Sequence, residues 1–169
     1  MERRSKERVI EMEIYTDGSL KKSGRSTYGG WAFVVIHDSQ EIYHDFGSEY
    51  NTTNQRMELT AILKALEYAK TKRRGSERVV VYSDSAYAIN CYLKEWYINW
   101  QNNGWINSSG KEVANKDLWF KIIPFFDNFW YEFRKVKGHD NVYWNELCDQ
   151  YAQNEADKLK KNWRGTLNE

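Results

Sequence analysis

The chain has 169 residues, 41% hydrophobic and 29% charged, and its 25 basic and 24 acidic side chains leave a formal net charge of +1. That length suits one domain with a real core, and that composition excludes intrinsic disorder and gives no hint of a polyanionic partner. No window reads as a bilayer span, and Met1-Glu2-Arg3-Arg4-Ser5-Lys6-Glu7-Arg8 has no apolar run behind its charges, so we expect a cytoplasmic protein without membrane span or secretory signal.

Hydrophobic periodicity predicts strands over Ile10 to Thr16, Tyr28 to Ile36 and Glu41 to Gly47, forming an antiparallel meander. A helix follows over Asn54 to Lys72, striped by Ile62, Ala65, Leu66 and Ala69. Next come a short buried strand from Arg78 to Tyr82 and helices over Ala86 to Lys94 and Asn115 to Asp127, with no assignment for Glu95 to Val113. A strand at Tyr131 to Val136 and a helix from Asn145 to Leu159 complete the order βββαβααβα. Three successive strands followed by alternation imply an α/β mixed sheet with helices on its faces. Pro124 should kink or end its helix. We expect a single domain over 9–160, with flexible ends at 1–8 and 161–169.

Cys91 and Cys148 are too few for a disulfide framework or zinc site and read as reduced packing residues. Positive charge gathers at Lys70 to Arg78, Arg134 to Lys137 and Lys158 to Arg164. Such a block is ordinarily a solvated face and becomes a phosphate-contacting site only beside a catalytic or aromatic feature. Aromatics are abundant, with 8 Trp, 12 Tyr and 7 Phe, more than one small core requires, so some should lie at a surface that stacks or grips a ligand.

Four acids sit awkwardly. Asp17 is followed by glycine, by default a turn signal, and Asp84 follows the buried strand, where an aspartate ordinarily caps the next helix. Strand ends are nonetheless where α/β sheets place ligands. Glu58 falls on the core-facing stripe with Ile62, Ala65 and Ala69, and Asp149 shares the face of Ala152, Ala156 and Leu159. Inward carboxylates are costly unless paired, by a buried arginine, a backbone cap or a hard cation. Together the four offer enough oxygens for two magnesium ions, a clamp used in in-line phosphoryl displacement.

Thr16-Asp17-Gly18-Ser19, Thr53-Asn54-Gln55-Arg56-Met57-Glu58-Leu59, Ser83-Asp84-Ser85, Val136-Lys137-Gly138-His139 and Asn145-Glu146-Leu147-Cys148-Asp149 stand in an order and spacing that resembles type 1 ribonuclease H, over about Met12 to Leu159. The resemblance implies a ribonuclease H-like fold, a five-stranded mixed sheet in order 3-2-1-4-5 with helices on both faces. It also implies an endonuclease that hydrolyses the RNA strand of RNA/DNA hybrids and leaves 5′-phosphate and 3′-hydroxyl ends.

By the same resemblance Asp17 bridges two Mg2+ ions, for which Mn2+ can substitute. Asp149 completes the site of the attacking water, and Glu58 with Asp84 holds the metal at the leaving oxygen. His139 matches the family's loop histidine, which assists proton transfer or product departure. Thr53 and Asn54 match a pocket for a DNA-strand phosphate, although either could simply cap the helix. Asn145 matches a residue touching the nucleic acid near the cut, while Gly18, Ser19 and Glu58 contribute to 2′-hydroxyl readout. Trp96-Tyr97-Ile98-Asn99-Trp100 with Trp105 resembles the family's protruding handle, but Gln101-Asn102-Asn103 stands where cations are expected. Ala86 likewise replaces a glutamine that contacts RNA in many relatives. We expect a monomer whose partner is an RNA/DNA hybrid. A non-catalytic hybrid-binding or duplex-binding module, a sister nuclease acting on DNA, and a purely structural use of the acids are the rival readings. The acids and histidine together argue against the first, the histidine and tryptophans against the second, and the two inward acids against the third.

Overall fold

The computed structural model describes residues 11–136 and 142–167. Strands β1 (Glu11–Ser23), β2 (Ser26–His37) and β3 (Gln40–Tyr50) form the meander. Its first turn is Gly24-Arg25 with Gly24 at φ +60°, and its second is Asp38-Ser39, where both residues have positive φ, as a two-residue hairpin requires. Here β1 corrects the sequence reading. It does not end at Thr16 but pairs with β2 all the way to Ser23↔Ser26, so Asp17-Gly18 lies inside a strand and is no turn.

Helix α1 spans Asn54–Lys72, the predicted range, and is followed by β4 (Arg78–Ser83) and α2 (Ala86–Leu93). The unassigned stretch supplies α3 (Trp96–Asn102), after which come α4 (Lys116–Phe126), β5 (Tyr131–Lys135) and α5 (Val142–Leu167). Pro124 lies in the last turn of α4, which ends two residues later. The sheet order is β3-β2-β1-β4-β5, with β4 and β5 parallel to β1.

Alternation along the strands divides the core in two. Met12, Ile14, Phe33, Val35, Val79 and Val81 pack with residues of α1, α2 and α4, and Tyr15, Ala32, Val34, Ile36, Val80 and Tyr82 pack with Cys148 and Ala152 of α5. Both cysteines are buried and free. Helix α5 runs through Leu167, and the ring of Trp163 stacks on Tyr50 of β3 with centroids 4.1 Å apart. Among the described residues, no helix is long and apolar enough to cross a membrane. His139, Lys137 and the first ten residues lie outside the described residues.

Candidate active site

The carboxylates meet where the pairing of β1 with β4 runs out, beneath the N-terminal turn of α1. Thr16 Oγ1 donates to the Tyr82 carbonyl at 2.8 Å, tying the two strands together one residue before Asp17 and two before Asp84. Beyond β4, the helix-capping role goes to Ser85, whose Oγ accepts from the Ala88 amide at 3.2 Å. Asp84 is therefore free of the cap that its position suggested, and its side chain is exposed.

Gly18 decides how near Glu58 can come. A Cβ at that position would lie 2.5 Å from the Glu58 nitrogen and 2.6 Å from the Met57 carbonyl carbon, so only glycine lets the first turn of α1 rest on β1. Thr53 caps that turn, its Oγ1 accepting from the Arg56 amide at 3.1 Å. Arg56 then fastens it, donating to both carboxylate oxygens of Asp117 at 3.0 and 2.7 Å and to Glu49 at 3.2 Å. On the opposite face, a Cβ at Gly30 would lie 1.9 Å from the Ala152 carbonyl oxygen, so the backbone of α5 rests directly on β2. That approach brings Asp149 to the same end of the sheet.

Oxygens of Asp17, Glu58 and Asp84 lie within 4.8 Å of one another. Asp17 is 3% exposed and Glu58 7%. Asp149 comes within hydrogen-bonding reach of Asp17 and raises its pKa. Burial, then the charges of Asp84 and Asp149, push Asp17 up to about 8, and burial, then Asp17 and Asp84, push Glu58 up to about 10. Asp84, although exposed as a residue, is also raised, first by partial desolvation of its carboxyl among the neighbouring groups and then by Asp149, while Lys135, beside Ser83 in the β4–β5 register, draws it down. The Gly18 amide favours the ionised forms of Asp17 and Glu58 but is outweighed.

Glu58 Oε2 is buried without a hydrogen-bond donor among the described residues. An orphaned acceptor among like charges suits a hard cation with oxygen preference, and Asp17, Glu58 and Asp84 could hold one. Sequence reasoning missed Gln153, whose Nε2 donates to Asp149 Oδ2 at 2.7 Å. The signal was present, since a residue four positions on lies on the same helical face.

The remaining sequence candidates are more scattered in role. Ser19 is half-buried in β1, Asn54 is exposed at the start of α1, and Asn145 is half-buried in α5 with its Oδ1 unpaired. Trp100 packs against Trp105 and Trp119, and Trp96 against Tyr87, so both rings spend part of their surface on the core. Both still line an open groove with Asn99, Asn103 and Ile106. His37 pairs with Glu77 and His44 with Glu41, so neither takes the place of His139.

A family model described as RNase H matches residues 10–157. A Ribonuclease H of Syntrophomonas wolfei subsp. wolfei is 45% identical over 149 residues, which cover 88% of this chain and 98% of that protein. Among solved structures, a type 1 RNase H with the type 2 active-site motif matches at TM-score 0.72 and 26% identity, over 91% of this chain and 75% of the other. A PFV RNase H domain solved in solution matches at TM-score 0.72 and 25% identity, over 87% and 94%.

Proposed function

Because the chain belongs to the ribonuclease H family, we propose that it hydrolyses the RNA strand of RNA/DNA hybrids, leaving 5′-phosphate and 3′-hydroxyl ends, with two Mg2+ ions held by its four acids. The observation that carries this reading is the convergence of Asp17, Glu58 and Asp84 around a buried carboxylate oxygen that has no hydrogen-bond donor among the described residues.

Asp17, on the central strand and beside the other acids, would be shared between the cations, with Asp149 helping to hold the one that activates water and Glu58 with Asp84 the one that offsets charge on the leaving oxygen. Cations held there lower the pKa of the attacking water and neutralise charge arriving on the departing 3′ oxygen. The water gives up a proton as its oxygen bonds to phosphorus, the P–O3′ bond breaks, and the 3′ oxygen takes up a proton, so that the two transfers cancel; His139 is the side chain we assign to carrying the proton. Gln153 keeps Asp149 turned, and Arg56 keeps the first turn of α1 in place, so the acids are positioned before substrate arrives. Thr53 and Asn54 are the residues for a DNA-strand phosphate; capping by Thr53 occupies its Oγ1 as an acceptor and leaves its hydroxyl proton to donate. Gly18, Ser19 and Asn145 border the cleavage position, and Trp96 and Trp100 line the groove proposed to grip the duplex. Manganese, with the same oxygen preference, substitutes for magnesium. One copy supplies all four acids, so the reading is of a monomer acting in the cytoplasm.

The test is incubation with labelled RNA/DNA hybrid, duplex RNA and duplex DNA, each with magnesium and with chelator. Only the RNA of the hybrid should be cut, and only with the metal. Chelator-resistant cleavage, or equal cutting of duplex DNA, would sink the reading.

A further inference from the structure

The basic block Lys70 to Arg78 has no part in the chemistry above, and the fold places exposed aromatics beside it. Phe129, in the turn entering β5, is 74% exposed. The Arg78 guanidinium lies 5.3 Å from its ring centroid, and the Arg73 guanidinium covers the neighbouring Trp130 at 4.1 Å. Between the end of α1 and the end of α4 runs a groove with Lys70 on one wall and Lys121 on the other, floored by Leu63, Phe125 and Tyr131. At Asn128 and Tyr131 it meets a second groove that leads to Phe129 and Arg78.

The helix dipole of α1 accounts for Lys70 and Lys72 in its last turn. It does not account for Lys121 on another helix or for a solvent-facing phenylalanine beside Arg78. Of the acids lining the grooves, Glu67 lies 3.9 Å from Lys64, Glu132 pairs with Arg78 and Arg134, and Asp127 accepts from the Tyr97 hydroxyl at 3.3 Å, while Glu77 nearby faces His37; Asp127 thus keeps its charge in the second groove, and the excess of positive charge lies along the first. Lys70, Lys72, Arg74 and Lys121 make no ion pair among the described residues and carry uncompensated positive charge. A groove that tracks a backbone of negative charge and ends on an open aromatic face is the combination that recognises an unpaired strand.

We propose that the grooves between α1, α4 and the entry to β5 form a second nucleic-acid site, which takes a single strand with its phosphates along Lys70 and Lys121 and a base on Phe129. The site lies at the start of β4, whereas the acids lie beyond its end, six residues or about 20 Å away. It is thus separate from the acidic site and suited to a single-stranded flank rather than to the strand being cut. Binding there does not rest on the cleavage reading.

The experiment is fluorescence anisotropy of a labelled oligothymidylate with the whole protein at low salt in chelator, where the acids, lacking cations, repel phosphate. Lys70→Glu combined with Lys121→Glu should weaken binding at least about tenfold and flatten its salt dependence, and Phe129→Ala should weaken it about fivefold or more. Both variants change exposed side chains, and each should cleave a blunt hybrid at the parent's rate. Parent-like affinity in both variants would overturn the proposal. So would equally tight binding of duplex DNA, which offers no free base, or displacement by polyglutamate as efficient as by unlabelled oligothymidylate, which would assign the patch to acidic peptides.

Discussion

Gln153 holds Asp149 by a 2.7 Å hydrogen bond from Nε2 to Oδ2, one helical turn apart on α5, and Asp149 also comes within hydrogen-bonding reach of Asp17. Partners of this kind orient a ligand before any cation arrives. We therefore expect Gln153→Ala to lower metal affinity or turnover by about 10- to 100-fold without lowering the melting temperature. Titrating activity against magnesium checks this, and a shift in metal affinity with an unchanged melt separates orientation from structural damage.

Asp17→Asn should reduce turnover by at least about three orders of magnitude, a barrier rise on the order of 4 kcal/mol. The amide retains the shape of the side chain but not the charge proposed to serve both cations. His139→Ala should lose distinctly less, since water can partly replace an imidazole as proton carrier. Single-turnover cleavage of a labelled hybrid ranks the two, and a worse defect in the histidine variant would overturn the roles assigned here.

Asp84 is exposed and is not the helix cap, so its charge serves the cluster rather than the fold. Asp84→Asn removes one repelling charge and should melt about 2–4 °C above the parent in chelator, corresponding to relief of about 1 kcal/mol. Magnesium should erase that advantage, because a cation that binds the folded parent more tightly stabilises the parent more. Thermal melts with and without magnesium decide the matter. A variant that melts lower in chelator would return Asp84 to a structural role.

Asp17 and Glu58 titrate near 8 and 10 in the folded protein, well above ordinary carboxyl values, so the folded state holds protons that the unfolded chain has already released. Stability without metal should accordingly be highest at about pH 4, fall as pH rises from there, and continue to fall up to about pH 8 and beyond. Bound cations displace those protons, so magnesium should flatten the slope and bind more tightly at higher pH. Denaturant midpoints at acid, neutral and alkaline pH, with and without the metal, measure both effects. A metal-free protein that gains stability between neutral and alkaline pH would contradict the clustering.

Gln101, Asn102 and Asn103 are exposed at and just after the end of α3. Replacing all three with lysine should tighten hybrid binding and steepen its salt dependence, because added cations release counterions from the duplex. Affinity unchanged at low salt would show that this part of the molecule does not touch the hybrid.

Local pattern fixed α1 to the residue, the succession of strands along the chain and the inward acids, because a helical stripe or an alternating strand is written within a dozen neighbouring positions, whereas the order of strands in the sheet followed only from the family resemblance. Glu58 and Asp149 could be read as misplaced carboxylates for that reason. What those acids form was decided by contacts between distant parts of the chain. Asp17-Gly18 resembles a turn until pairing with β2 draws β1 on to Ser23, and Asp84 resembles a cap until Ser85 takes that role. Close approach of α1 to Gly18 and of α5 to Gly30 brings acids from two strands and two helices to one end of the sheet. Near the end of α5, the ring of Trp163 finds Tyr50 more than a hundred residues earlier. No local window contains such partners, and only the closed tertiary packing supplies the surfaces on which these residues settle.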